Sequence, residues 1–554
     1  MSSDAVTPLG RIPFRIRVGV TGHRALASEP DLAGMADDIR RLVPSRATTP
    51  VRLAVVSALA EGADRLVVEE VFADAGARSE EARLEVVLPF DVDRYSELQE
   101  FSPASEAELK GWLDRAASVT ELAGASEPTA LALAYEAAGQ HVVSRCDVLV
   151  AIWDGKVSGG RGGTAETLLY AAGSGKPCIW LPSEDGQARR DNLTKATAAA
   201  FRADVWRRAT GGEPSPRSAP DESEPLLPLA TTFREFDAFN RATVPPEPAL
   251  RKRVESELGP LDDACAWVAW PFARAASLAD GFEHRFIWGT RVLTLLAVAA
   301  AAALGVSAAA GHESRTWAWT EVGCLVALVV LFAAIRRARL HSRWLSYRLL
   351  AERFRTAYYI ASAGIDFRRT VGHETVFVDR RSSDWLLRAF EEVWDSRPPV
   401  PDVATLPENE FLRLRRFLAD DWIGGQIAFH GRARRRHERL ARILDVLIFL
   451  CFLGTIAFAT VRATELLGRN PTIVFSITLP IVAGSLGVLL TVRQHHALAE
   501  RYARMRADLE AVRRALLDAE PQTIGRVASE AAQIIAEENG DWFGAMWFLD
   551  VEHP

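Results

Sequence analysis

Residues 286–310 read FIWGTRVLTLLAVAAAAALGVSAAA, with Arg291 as the only charge in 25 residues. A hydrocarbon core of about 30 Å takes about 20 residues of helix, so this stretch is long enough to span a bilayer. Three others share the pattern: 316–335 with only Glu321, 443–461 with Asp445 near one end, and 471–492 with no charge. Pro480 lies in the middle of the last. A proline inside a water-soluble helix costs about 3 kcal/mol, whereas neighbouring helices in a bilayer can satisfy the carbonyl it frees. Four such stretches in two pairs predict four transmembrane helices.

Flanking charge sets their orientation. Arg336, Arg337, Arg339 and Arg343 follow the second stretch, and Arg432, Arg434, Arg435, Arg436, Arg439 and Arg442 precede the third. The central segment is therefore expected on the cytoplasmic side, as are both termini. The turns 311–315 and 462–470 would face outward, giving a multi-pass protein of the inner (cytoplasmic) membrane. Residues 1–18 show no apolar stretch after a basic one, so no cleavable signal is expected.

This half also reads as a duplication. HSRWLSYRLLAERFR (341–355) follows the second stretch and HHALAERYARMRADLE (495–510) the fourth, sharing Leu-Ala-Glu-Arg at an offset of about 150 residues. Glu391-Glu392-Val-Trp394 echoes Glu537, Glu538 and Trp542. Trp344, Tyr347, Leu350, Ala351 and Phe354 recur at helical spacing and need a packing partner. Either the chain's own hairpin or a second copy in a homo-oligomer would serve.

The chain of 554 residues exceeds what one core absorbs. Its net charge of −7 argues against a nucleic-acid polymer as partner. Five separated cysteines, with no C-x-x-C and no His at ligand spacing, predict neither a disulfide framework nor a structural metal. No cofactor is expected.

The first 185 residues differ in kind. Apolar runs at 16–20, 53–56, 84–88, 148–153 and 178–181 alternate with helix-length segments, predicting an α/β, Rossmann-like, doubly wound parallel sheet. Ligands bind such sheets beyond the carboxyl ends of the strands. The first loop there, VGVTGHR (18–24), offers Gly19 and Gly22 for close backbone approach. Its Thr21, His23 and Arg24 could serve a phosphate, although a structural turn explains it equally. The second, SALAEGAD (57–64), places Glu61, Gly62 and Asp64 near a position for ribose hydroxyls, or for helix capping.

The third, WDGKVSGGRGGTAE (153–166), brings Asp154, Gly159, Gly160, Arg161, Gly162 and Gly163 before Thr164 at a helix start. Free N–H groups and a positive dipole end converge there, which predicts an anion site. Glu166 could accept ribose hydroxyls, act as a general acid/base, or compensate the dipole.

In that order, VGVTGHR, SALAEGADRLV, VVLPF, CDVLVAIWDGK and GGRGGTAETLLYA resemble the SLOG family of Rossmann-like nucleotide-binding domains, related to the LOG phosphoribohydrolases and DprA. The glycine run is similar to the LOG motif P-G-G-x-G-T-x-x-E. It has an extra glycine, lacks the leading proline and carries its glutamate one residue early. Tyr135-Glu136-Ala137-Ala138 stands where those enzymes carry an Arg-Lys pair. The resemblance implies nucleotide binding more than N-glycosidic hydrolysis.

The membrane half resembles the SLATT two-helix effectors, whose W-x-x-Y-R-x-x-A-E pattern appears as Trp344, Tyr347, Arg348, Ala351 and Glu352. Asp421-Trp-Ile-Gly-Gly-Gln426 and the closing Glu-Asn-Gly-Asp-Trp542 are similar to that family as well.

These resemblances imply an antiphage-defence effector. A nucleotide-derived second messenger, such as an ADP-ribose-like molecule, would be sensed in the cytoplasm and trigger pore formation or membrane disruption. The alternative is a membrane-tethered nucleotide N-glycosidase of LOG type with Glu166 catalytic. The expected organisation is a tail (1–11), a SLOG-like domain (12–185) and a connector (186–283) with a disordered 211–226. SLATT-like units at 284–400 and 401–554 follow.

Overall fold

The computed structural model describes residues 10–547 apart from 27, 29, 45–47, 123–127, 158–159, 185–187, 213–227, 260, 262–263, 311–314, 367–379, 400–401, 465–468 and 493–494. The chain divides into two units. One, the sheet unit, comprises residues 11–242 and 381–395; the other, the helical unit, comprises 1–10, 243–380 and 396–554.

Among the described residues the sheet unit holds seven strands: β1 (Phe14–Gly22), β2 (Val51–Ser57), β3 (Arg83–Leu88), β4 (Ser118–Glu121), β5 (Val148–Trp153), β6 (Cys178–Pro182) and β7 (Arg190–Asp191). Their order is β4-β3-β2-β1-β5-β6-β7, parallel throughout except for β7 against β6. The five predicted strands lie inside β1, β2, β3, β5 and β6, because each is an apolar run buried on both faces. The two edge strands, β4 and β7, escaped the sequence reading. They are short and polar, and an apolar-run criterion passes over such strands. The disordered stretch expected at 211–226 falls, from 213 onward, outside the described residues.

Among the described residues up to 242, eight helices accompany the strands: α1 (Met35–Arg40), α2 (Ala63–Ala77), α3 (Val92–Gln99), α4 (Pro103–Arg115), α5 (Pro128–Arg145), α6 (Thr164–Gly173), α7 (Lys195–Thr210) and α8 (Pro228–Arg241). From β1 the chain steps outward to β4, and α5 then returns it to β5 on the other side of β1. That reversal parts the loops following β1 and β5, the place where doubly wound sheets bind ligands.

The helical unit contains α9 (Glu247–Glu257), α10 (Ala266–Ala310), α11 (Arg315–Ala338) and α12 (Leu340–Ser362). Next comes α13 (Arg380–Trp394), all but its first residue grouped with the sheet unit. The helical unit resumes with α14 (Glu408–Arg416), a π-helical stretch Phe417–Gly424, α15 (Gly425–Ala463), α16 (Arg469–Val492), α17 (His495–Leu517) and α18 (Ile524–Trp547).

Residues 381–395, read from sequence as the end of a first SLATT-like unit, thus pack with the sheet. Trp385, Leu386, Ala389, Phe390 and Trp394 are buried, and Trp385 lies 5.7 Å from Phe239. The polar face of α13 meets the amino-terminal end of the sheet. Glu392 accepts from Arg15 Nε at 2.9 Å, Glu391 from Arg17, and Arg388 Nη1 donates to Asp147 at 2.9 Å. Arg145 and Arg17 share Glu85. Burial pushes that carboxyl up, yet the two guanidinium groups outweigh it and hold it at about 2.

Among the described residues three helical spans are long and apolar enough to cross a membrane: Ala266–Ser307, Arg315–Ser362 and Glu408–Ala463. Helix α16, the fourth stretch read from sequence, is 24 residues long with a shorter apolar segment, Val474–Gly487. Large apolar side chains stand open along these helices, including Leu295, Val329, Val330, Phe449 and Ile456. Contiguous apolar surface of this kind is costly in water and favourable in lipid.

A charge placed there should separate the two solvents. Phe449 is 66% exposed, so Phe449→Asp would be nearly neutral in water but costs about 3 kcal/mol in a bilayer. The variant is expected to fall markedly in carbonate-washed membranes, and unchanged membrane recovery would contradict a lipid-facing position.

Candidate functional site

A cleft of about 580 Å³ opens at the carboxyl ends of β1 and β5, a size suited to a small organic ligand. It is lined by Val20 to Arg24, by Trp153, Asp154 and Lys156, and by Gly160 to Thr164. Asp64, Tyr95, Gln99 and Tyr135 line it as well.

The β1 loop is held by backbone pairing. The N–H of His23 donates to the Ile152 carbonyl at 3.1 Å, and Ala63 donates back to His23 at 3.2 Å. His23 Nε2 lies 3.1 Å from Asp154 Oδ1, which also accepts from the Lys156 amide at 3.0 Å. Burial pushes the Asp154 carboxyl up, but the Lys156 amide and His23 outweigh it and hold it below the usual carboxylate range. Arg24 reaches across the cleft to donate to the Gln99 carbonyl at 2.7 Å.

The glycines divide by role. A side chain at Gly19 would strike Cys146 at 2.8 Å, and one at Gly22 would strike Ala63 at 2.1 Å. Gly19 thus admits α5 against the sheet and does not line the cleft. Gly62, with φ +75°, sits against the carbonyls of Arg24 and His23 and brings the first two loops together. Gly162, with φ +78°, seats the third loop on α5 so closely that a Cβ would lie 2.7 Å from the Glu136 nitrogen.

At the start of α6, Gly163 supplies no side-chain cap. The opening amides of the helix, from Thr164 and Ala165 at the cleft wall, are left for an acceptor. Gly159 lies outside the described residues.

Glu166 does not line the cleft. Its carboxylate accepts from the Gly162 amide at 2.8 Å and braces the glycine loop. Arg161 is exposed and stands 3.7 Å from Glu136. Glu61 is half-buried and does not line the cleft, whereas its neighbour Asp64 does.

Asp64 accepts from the Ser57 hydroxyl at 2.8 Å and is otherwise enclosed, and burial pushes its carboxyl up to about 6. Sequence spacing placed Asp64 near this loop but could not show it enclosed. Tyr135, Gln99 and Tyr95 project from α5 and α3; no motif marked Gln99 or Tyr95, and Tyr135 was noted only where an Arg-Lys pair is missing. Gln99 donates to the Tyr135 hydroxyl at 2.7 Å, while its Oε1 is a buried acceptor with no partner. An unpaired acceptor in a cleft wall is satisfied when a ligand brings a donor.

The raised Asp64 carries a pH signature. The folded state binds its proton more tightly than the unfolded state does, so stability falls as pH rises from about 4 through 6. Asp64→Asn should stabilise the sheet unit above pH 6, by up to about 3 kcal/mol. Thermal melts between pH 5 and 8 are expected to separate progressively, and a pH-independent difference would contradict an enclosed carboxyl.

A doubly wound unit with a polar crevice, in one chain with membrane-length apolar helices, defines a membrane-associated α/β protein with a cleft at its strand reversal. Within the helical unit, residues 419–542 match the family described as SMODS and SLOG-associating 2TM effector domain 1. That match runs from the π-helical stretch through the α15–α16 hairpin into α18. No curated protein and no solved structure matches the chain.

Proposed function

We propose that this protein is a membrane effector of antiphage defence, switched by a nucleotide-derived second messenger. Its sheet unit acts as a SLOG-like sensor. Its two helical hairpins, α10–α11 and α15–α16, act as duplicated SLATT-like elements that cross the inner membrane four times with both termini inside. Several copies assemble, and ligand binding opens or disrupts the bilayer.

The observation that carries this reading is the cleft at the strand reversal. There an uncapped helix start and the orphan Gln99 acceptor border one space of ligand size, in the same polypeptide as lipid-seeking helices. A phosphate would take the α6 amides. A ribose or base hydroxyl or amine would donate to Gln99.

Ligand binding can act only through differential affinity for two states. Helix α13 offers the route: the chain leaves the helical unit to enter it and returns afterwards. It is clamped to Arg15, Arg17 and Asp147 on the β1 and β5 sides of the sheet. The same two strands end at the cleft, so a shift between them would be felt at both ends.

The test is dye release from liposomes carrying the purified chain, with ADP-ribose derivatives and cyclic oligonucleotides added singly. Release with one ligand, matched by calorimetric binding, is expected. Silence with every ligand and no binding would overturn the reading.

A second reading, a tethered nucleotide N-glycosidase, draws on Asp64. An enclosed carboxyl near pKa 6 in a cleft suits general acid/base work better than Glu166, which is committed to the glycine loop. Release of free base from a nucleoside monophosphate, lost in Asp64→Asn, would favour it.

A further inference from the structure

Helix α15 carries an arginine stripe that neither the sensor cleft nor the hairpin packing uses. Arg432, Arg435, Arg436, Arg439 and Arg442 are all exposed. At 3.6 residues per turn they fall within about a third of the helix circumference, over about 15 Å of its length. Nearby acids are already engaged: Glu438 accepts from Arg434 at 2.7 Å, and Asp445 stands 3.1 Å from His496. Among the described residues no carboxylate pairs with Arg432, Arg435, Arg436 or Arg439.

The stripe then runs, on the same face, into Ile443, Val446, Leu450 and Leu453, each more than half exposed. Positive charge ends where apolar surface begins. Four guanidinium groups left without acids on one face, with Arg442 beside them, are an expensive concentration of like charge unless an anion layer neutralises them. Guanidinium binds phosphate in bidentate fashion and is weakly hydrated, which suits it to a phosphodiester at a lipid boundary.

We propose that this face of α15 is a docking surface for anionic phospholipid headgroups, with the acyl chains lying along Ile443, Val446, Leu450 and Leu453. The charge complementarity and the unbroken apolar continuation on one face both select a lipid over a soluble anion. The proposal rests on bilayer insertion of α15 and not on any ligand of the sheet unit.

The experiment uses the purified full chain in detergent micelles, supplied with equal phosphatidylglycerol and phosphatidylcholine, and counts retained lipids by native mass spectrometry. At about 0.15 M salt phosphatidylglycerol should be retained about tenfold over phosphatidylcholine. Arg435→Gln/Arg436→Gln/Arg439→Gln should bring the ratio near one, Arg436→Gln alone should lower it about threefold, and Arg526→Gln should leave it unchanged. Circular dichroism of each variant reports retained helix. Equal retention of the two lipids by the wild type, or a triple variant that keeps its preference, would overturn the proposal. Displacement of phosphatidylglycerol by millimolar inorganic phosphate, or by a short RNA, would overturn it in favour of a soluble anion site.

Discussion

Arg388→Met is expected to loosen the sheet unit more than any other single change considered. Arg388 and Asp147 are almost fully enclosed, and the guanidinium grips both carboxylate oxygens while Asp147 also accepts from the Arg17 amide at 2.8 Å. Removing one partner of such a pair strands a buried charge, at a cost of about 3–5 kcal/mol. The loss should appear as hydrogen exchange roughly 100-fold faster or more over β1 and β5 in the full-length protein.

The pH dependence has a definite sign. In the wild type, burial pushes Asp147 up but Arg388 outweighs it, leaving the carboxyl below its usual range. Its contribution is therefore present above about pH 4 and lost as pH falls further. In Arg388→Met only Arg17 still opposes burial at Asp147, so the deficit against wild type should be largest near neutrality and shrink on acidification. A second change, Asp147→Asn, should recover much of it. Unaltered exchange in Arg388→Met would mean that α13 does not seat on the sheet as described.

For the sensor proposed above, Gly162→Ala is expected to cost most of the ligand affinity while leaving the fold intact. Its φ of +78° is disfavoured for alanine by about 1–2 kcal/mol. The added Cβ would also lie 2.7 Å from the Glu136 nitrogen and 3.0 Å from the Ala132 carbonyl, backbone atoms that cannot step aside. The loop must lift off α5, releasing the Glu166 brace and misaligning the α6 amides. Affinity for an ADP-ribose probe should fall about 100-fold or more, since a misplaced donor array forfeits several charge-assisted bonds. Gly173→Ala, where a Cβ meets nothing within 4 Å, is the matched control. Equal affinity in Gly162→Ala and wild type would detach the glycine loop from binding.

Much of the architecture was legible before any coordinates. Strand runs such as 148–153 and the apolar stretches 286–310 and 443–461 declare themselves because burial in a two-sided sheet and immersion in lipid both demand unbroken apolar sequence. The helix start of α6 behind its glycine run was legible too, since clustered glycines break one element before the next begins. Polar edge strands such as β7 were not, because two residues of pairing leave no compositional trace.

The finer division of labour at the cleft needed three dimensions. Glu166 and Asp64 are both acids just inside a helix that follows a glycine, and one-dimensional reading treats them alike. Folding turns Glu166 onto the Gly162 amide and encloses Asp64 beside the cleft, and only enclosure shifts a carboxyl to about 6. Tyr135 and Gln99 enter from separate helices for the same reason.

The amino-acid order by itself determined that this chain pairs a doubly wound sheet with lipid-seeking helices, because hydrophobic run length is a local property. Tertiary structure alone decided that residues 381–395 belong to the sheet. The acids of α13 find Arg15 and Arg17 more than 370 positions away. Ion pairing at that separation is a property of the folded surface and leaves no periodic mark along the chain.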